Sequence, residues 1–184
     1  MRREAAIPCP PHGAFPMTPD LTVIKAGTGV LTKSADGTLD RAALVHLVSA
    51  IAALIDAGHR CLFVSSGAVG SGVSAFGLSE YPKDTATRQA CAAVGQARLM
   101  QTYSSLFSNF DVTIAQVLLT AGDLGTPERA GYVSDTLGRL LSEPRILPII
   151  NENDSVAVEE LKFGDNDMLS VRVAKLAGAK RVIL

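Results

Sequence analysis

Short runs of consecutive apolar residues alternate along this chain with longer stretches whose apolar positions recur every three or four residues. The short runs predict strands at residues 21–26, 60–64, 112–117, 145–150 and 180–184. The longer stretches predict helices at residues 39–56, 84–109, 126–142 and 165–177, with one short helix behind a glycine-rich turn at 65–72. Punctuation agrees with this division. Asp84 or Thr85 offers a helix N-cap, Pro127 suits a first helical turn, and Gly58 and Gly178 follow the ends of their helices. Strands that are apolar throughout, separated by helices, predict a parallel sheet covered on both faces, an α/β three-layer sandwich joined by right-handed crossovers. In such sheets the loops at the carboxyl ends of the strands carry the site. The final strand has no element after it to cover its face, so the chain reads as truncated. Residues 1–20 hold five prolines, Arg2 and Arg3 but no apolar stretch, and read as a disordered extension with Met17 an alternative start.

Composition narrows the class. Of 184 residues, 47% are apolar and 19% charged, with a net charge of -1, which is globular and gives no basic footprint for nucleic acid. The longest uncharged apolar run, 42–55, is too short to span a bilayer. The 3 cysteines, Cys9, Cys61 and Cys91, are odd in number and far apart, which fits reduced thiols and a cytoplasmic location better than a disulfide framework or a zinc site. His46 and His59 fall in a helix and at a helix end and read as structural.

Candidate chemistry collects at three predicted strand ends. After the first strand stands Lys25-Ala26-Gly27-Thr28-Gly29, where glycine N–H groups and a lysine can meet a phosphate; a tight turn with an incidental lysine is the alternative. After the second stands Ser65-Ser66-Gly67-Ala68-Val69-Gly70-Ser71-Gly72, hydroxyls and glycines at a helix start, which suits an anion. It lacks the Gly-Lys-Ser/Thr of a Walker loop, and residues 70–75 match a dinucleotide fingerprint only loosely and too far past the strand; a flexible glycine loop stays open. After the fourth, Glu152, Asp154, Asp165 and Asp167 with three asparagines fall within seventeen residues. Such a cluster can hold a cation or an amino acid's ammonium group while amides meet a carboxylate; an acidic surface turn or a helix cap is the other reading. Three such loops on one sheet edge suit phosphoryl transfer, in which the protein positions groups and neutralises charge.

These motifs resemble the amino-acid kinase family, in its glutamate-phosphorylating branch. The resemblance rests on V-I-K-A-G-T at 23–28, V-S-S-G-A-V at 64–69, A-A-V-G-Q-A-R-L at 92–99, A-Q-V-L-L-T at 115–120, I-N-E-N-D-S-V-A at 150–157 and F-G-D-N-D-M-L-S at 163–170. It implies that Lys25 contacts the transferring phosphate, that Asp167 orients lysines, and that Ser66, Asp154 and Asn166 bind L-glutamate, with Gly27, Thr28 and Gly67 around the phosphate. It further implies ATP and magnesium, the first step of proline synthesis, an oligomer, and a nucleotide lobe beyond residue 184. Ala26, Gly29 and residues 131–135 depart from the family pattern. Relatives acting on aspartate, acetylglutamate, carbamate or a nucleoside monophosphate are the enzymatic alternatives, and a non-catalytic glutamate binder is the other.

Overall fold

The computed structural model describes residues 21–32, 39–157 and 166–184. The extension predicted at residues 1–20 lies outside them. Among the described residues the order is β1 (Leu21–Lys25), α1 (Thr28–Leu31), α2 (Arg41–Asp56), β2 (Arg60–Val64), α3 (Ala68–Ala75), α4 (Thr85–Phe107), β3 (Thr113–Leu119), α5 (Pro127–Leu141), β4 (Ile146–Glu152), α6 (Asn166–Ala177) and β5 (Arg181–Ile183). Short 3-10 turns at Ser108–Phe110 and Ala121–Leu124 flank β3.

The strands form one sheet in the order β3-β4-β2-β1-β5, and every pairing is parallel. Because successive side chains of a strand point to opposite faces, each apolar run divides between two cores. Ile24, Cys61, Phe63, Leu147 and Ile149 pack under α2 and α4 against Leu44, Val48, Ile51, Leu99, Tyr103 and Phe107. Val23, Leu62, Val64 and Ile150 face the other way, onto Leu137 and Leu141 of α5 and Leu169 and Val173 of α6. This is the three-layer α/β sandwich that the apolar pattern predicts. The crossovers through α2 and through α3–α4 run toward the β3 edge on one face. Those through α5 and α6 run back on the other face, so all four have the same hand. The chain changes direction between β2 and β4, which are neighbours, and a crevice opens outside their carboxyl ends.

Local chemistry fixes the element ends. Asp40 caps α2 by accepting hydrogen bonds from the Ala42 and Ala43 N–H groups, so the helix starts at Arg41 and not at Leu39, which bridges Thr32 instead. Asp84 caps α4 through the Thr87 N–H, which holds its carboxyl below the usual range. The predicted strand 145–150 runs two residues further, because Leu118 and Leu119 of β3 stay in register with Asn151 and Glu152. The helix at 28–31 is a single turn, too short for any periodicity to reveal.

The loose dinucleotide fingerprint at 70–75 is explained by packing. It lies inside α3, where a Cβ on Gly72 would stand 1.9 Å from the Cys91 carbonyl oxygen, and one on Gly95 of α4 would stand 1.8 Å from that of Ala68. These two glycines let α3 and α4 touch backbone to backbone. Cys61 and Cys91 are free and buried, and burial raises the Cys61 thiol to about 11. No helix among the described residues is long and apolar enough to cross a membrane.

Candidate active site

The loops after β1, β2 and β4 and the start of α6 meet at the carboxyl edge of the sheet. At the end of β1 the Lys25 side chain turns back over Gly27, and a Cβ on Gly27 would stand 3.0 Å from Nζ. The ammonium group lies 2.6 Å from a carboxylate oxygen of Asp167, the second residue of α6. Lys25 is largely shielded and Asp167 is half exposed, so the pair sits at the rim of the crevice.

One residue earlier, Asn166 ties three loops together. Its side-chain amide donates to the Ser65 carbonyl (2.6 Å), to Ser66 Oγ (2.7 Å) and to Asn151 Oδ1 (3.0 Å). An amide has two hydrogens, so these bonds are shared. The Asn151 amide in turn donates to Gln96 Oε1 at 2.9 Å, and the Gln96 amide reaches Gln116 on β3. Asn151 and Gln96 are buried, and the chain of amides satisfies their polar groups inside the fold.

The two serines of the second motif part company. Ser65 is fully buried and bonds the Tyr103 hydroxyl at 2.9 Å, while the Tyr103 ring meets Phe63 edge to face. Burial pushes that phenol well above its ordinary value, so Ser65 and Tyr103 are parts of the core. Ser66 faces the crevice. Gly67 follows at φ +88, a left-handed conformation that suits glycine, and this turn starts α3.

A cleft of about 380 Å³ opens between these loops and the first turn of α4. Thr28, Ser66, Gly67, Asp154 and Asn166 line it, and Lys25 and Asp167 lie just past Asn166. The eight residues to which the family resemblance gives a role therefore meet on one edge. His46 and His59 do not line the cleft. Asp165 lies outside the described residues. Residue patterns missed the far wall, formed by Tyr81, Thr85, Arg88 and Gln89. Their signal was present: Arg88 lies one turn before Cys91 and Ala92, in line with the buried stripe of α4 that continues through Gly95, Leu99 and Tyr103. A charge in that position has to be aimed at something.

Chemically the edge offers an ammonium at Lys25 and amide donors at Asn166, with a carboxylate, Asp154, and an arginine, Arg88, near Tyr81. That set suits a small molecule bearing both anionic and cationic groups. No group of three or more His, Cys, Asp or Glu gathers among the described residues to hold a metal.

Comparison with known proteins agrees with this construction. Residues 20–184 match the sequence profile of the amino acid kinase family. A protein of Synechocystis sp. (strain PCC 6803) named "Glutamate 5-kinase" is 48% identical over 169 residues, 91% of this chain and 44% of its own. One of Rippkaea orientalis with the same name is 50% identical over 88% of this chain and 44% of its own, and one of Clostridium tetani is 44% identical over 88% and 60%. The chain thus spans about half the length of these relatives. A UMP kinase from Bacillus anthracis superposes with a TM-score of 0.56 at 14% identity, covering 89% of this chain and 63% of that one. A carbamate kinase from Giardia lamblia bound to AMP-PNP gives 0.57 at 15%, covering 89% and 69%. With its parallel sheet, its strand-end loops and a profile match over nearly its whole length, this chain belongs to the amino acid kinase family.

Proposed function

We propose that residues 21–184 form the substrate-binding lobe of a kinase that transfers the γ-phosphoryl group of ATP to the γ-carboxylate of L-glutamate, giving L-glutamyl 5-phosphate in the first step of proline synthesis. The observation that carries this reading is the Lys25–Asp167 ion pair, one residue from the Asn166–Ser66 contact, at the mouth of a cleft that also holds Asp154. The name shared by the relatives supports glutamate as the acceptor.

A glutamate γ-carboxylate has an ordinary pKa of about 4.3 and is already an anion near neutral pH. It needs no general base, and the cleft presents no histidine. The obstacle is repulsion between two anions. Lys25 places a positive charge where the transferring phosphate would stand, and the Asp167 carboxylate holds that ammonium in position. Gly27, Thr28 and Gly67 offer N–H groups and a hydroxyl to phosphate oxygens. Ser66 and Asn166 hold the acceptor carboxylate in line, and Asp154 receives the substrate ammonium. Magnesium, when bound with the nucleotide, would neutralise phosphate charge. The remaining elements of the reading are a nucleotide lobe following this one in sequence, a cytoplasmic location and a homo-oligomer.

The test is steady-state kinetics in the protein as its gene encodes it. Lys25→Ala should lower turnover on glutamate about 10²–10³-fold while the glutamate KM stays within a few-fold. Equal losses in both would count against the assignment. Asp154→Ala should instead raise the glutamate KM at least about tenfold, as loss of a charge-assisted contact predicts; an unchanged KM would remove Asp154 from the site.

A further inference from the structure

Glutamate carries two carboxylates, and the loops assigned so far account for only one of them. If the γ-carboxylate lies against Ser66 and Asn166, near Lys25, the α-carboxylate points toward the other end of the cleft. Near Tyr81 stand Asp154, which would repel it, and Arg88, the one basic side chain among the described residues that line the cleft. We propose that the Arg88 guanidinium receives the α-carboxylate of the amino-acid substrate and so determines specificity for an α-amino dicarboxylate.

Three features carry this. Arg88 stands in the first turn of α4 on the same stripe as Cys91, Ala92 and Gly95, and the contact of α3 with α4 through Gly72 and Gly95 fixes that stripe. The helix therefore has little freedom to turn the side chain away. The wall is also joined to the opposite one: the Gln89 amide donates to the Ala157 carbonyl in the loop after β4. Finally, an anion and a cation line the same part of the cleft: Asp154 and Arg88 both border it beside Tyr81, whose phenol, raised chiefly by burial, is within electrostatic reach of both. An ammonium and a carboxylate on one substrate carbon match such a pair. A guanidinium meets a carboxylate through two parallel hydrogen bonds, which a lysine cannot do.

This assignment rests on the glutamate reading, and the experiment separates the two. L-glutamate and its α-carboxamide, L-isoglutamine, are titrated calorimetrically into the protein as its gene encodes it. The proteins compared are the wild type, Arg88→Gln and Arg88→Lys, each checked for folding by circular dichroism. The wild type should prefer glutamate over the amide by about 10–100-fold. Arg88→Gln should weaken glutamate binding by about the same factor and leave isoglutamine within about threefold, erasing the preference. Arg88→Lys should fall between. If Arg88→Gln weakens both ligands equally, or leaves glutamate binding unchanged, Arg88 does not read the α-carboxylate. If the folded wild type binds neither ligand, the glutamate reading itself falls, and the role of Arg88 with it.

Discussion

A glycine beside a lysine can be read as a flexible turn or as space kept for the ammonium, and Gly27 distinguishes the two. Its φ of -77 is open to any residue, so the backbone does not require glycine there. What a side chain would meet is Lys25 Nζ, at 3.0 Å. Gly27→Ala should therefore fold normally, with a melting temperature within about 2 °C of the wild type, yet lose turnover about tenfold as the ammonium is pushed off the phosphate position. A fall in stability with activity kept would mean that the glycine serves the turn. Asn166 is a residue-scale case of another kind. Its NH₂ group faces three oxygens, so Asn166→Asp replaces a shared donor by a charge against the Ser65 carbonyl. The expected outcome is about 1–3 kcal/mol of lost stability in denaturant titration, together with a large rise in the glutamate KM. A variant as stable as the wild type would show that Asn166 does not bind the loops together.

At the scale of elements, the pair α3 and α4 depends on two missing side chains. A Cβ on Gly95 would lie 1.8 Å from the Ala68 carbonyl oxygen, which is backbone and cannot swing aside. Gly95→Ala should cost about 2–4 kcal/mol in denaturant titration, at or above the usual range for overpacking, because one helix must move. A cost below about 1 kcal/mol would mean that the two helices separate easily. The entry into α5 depends on charge instead. Asp123 accepts hydrogen bonds from Thr120 Oγ1 and the Thr120 N–H, at 2.6 and 2.8 Å, with Arg129 beside it, and these hold its carboxyl below the usual range. A depressed folded-state pKa stabilises the fold above the ordinary carboxylate value, and that contribution is lost as pH falls through the folded value. Asp123→Asn should thus lower stability by about 1 kcal/mol at pH 7. As pH falls through the folded value the gap should close, because both chains become neutral at this position. Melting curves from pH 7 into acid measure it, and a gap that does not narrow as the pH falls would assign the effect to packing.

For the whole molecule, the cleft is a junction of segments far apart in sequence: the ends of β1, β2 and β4 and the starts of α4 and α6. A ligand that bridges them stabilises the assembly by mass action, by about 2.7 kcal/mol at a hundred times its dissociation constant. L-glutamate should raise the melting temperature by on the order of 5 °C at that concentration, and L-aspartate, one methylene shorter, by much less. Equal shifts would show that the cleft does not measure the length of its ligand.

The order of strands and helices was legible in the chain because it rests on local periodicity and on punctuating residues such as Asp84, Pro127 and Gly58. So was one side of the site, because Lys25, Ser66 and Asn166 stand in short motifs directly after strands or at a helix start. The path of the sheet was not. That β4 slips between β2 and β3, putting the Asn151 loop beside Ser66, depends on pairing between residues as far apart as Phe63 and Ile149, which no local pattern records. The far wall was legible only in part. Arg88 falls in line with the buried stripe of α4, but what that stripe meets is decided by the clamp of α4 on α3 through Gly72 and Gly95, which turns its first residues to the cleft. Sequence alone determined which elements form and which loops carry chemistry, since propensity and periodicity act between near neighbours. Tertiary structure alone decided which loops meet and which charges face each other, since that is set by the close packing of distant segments.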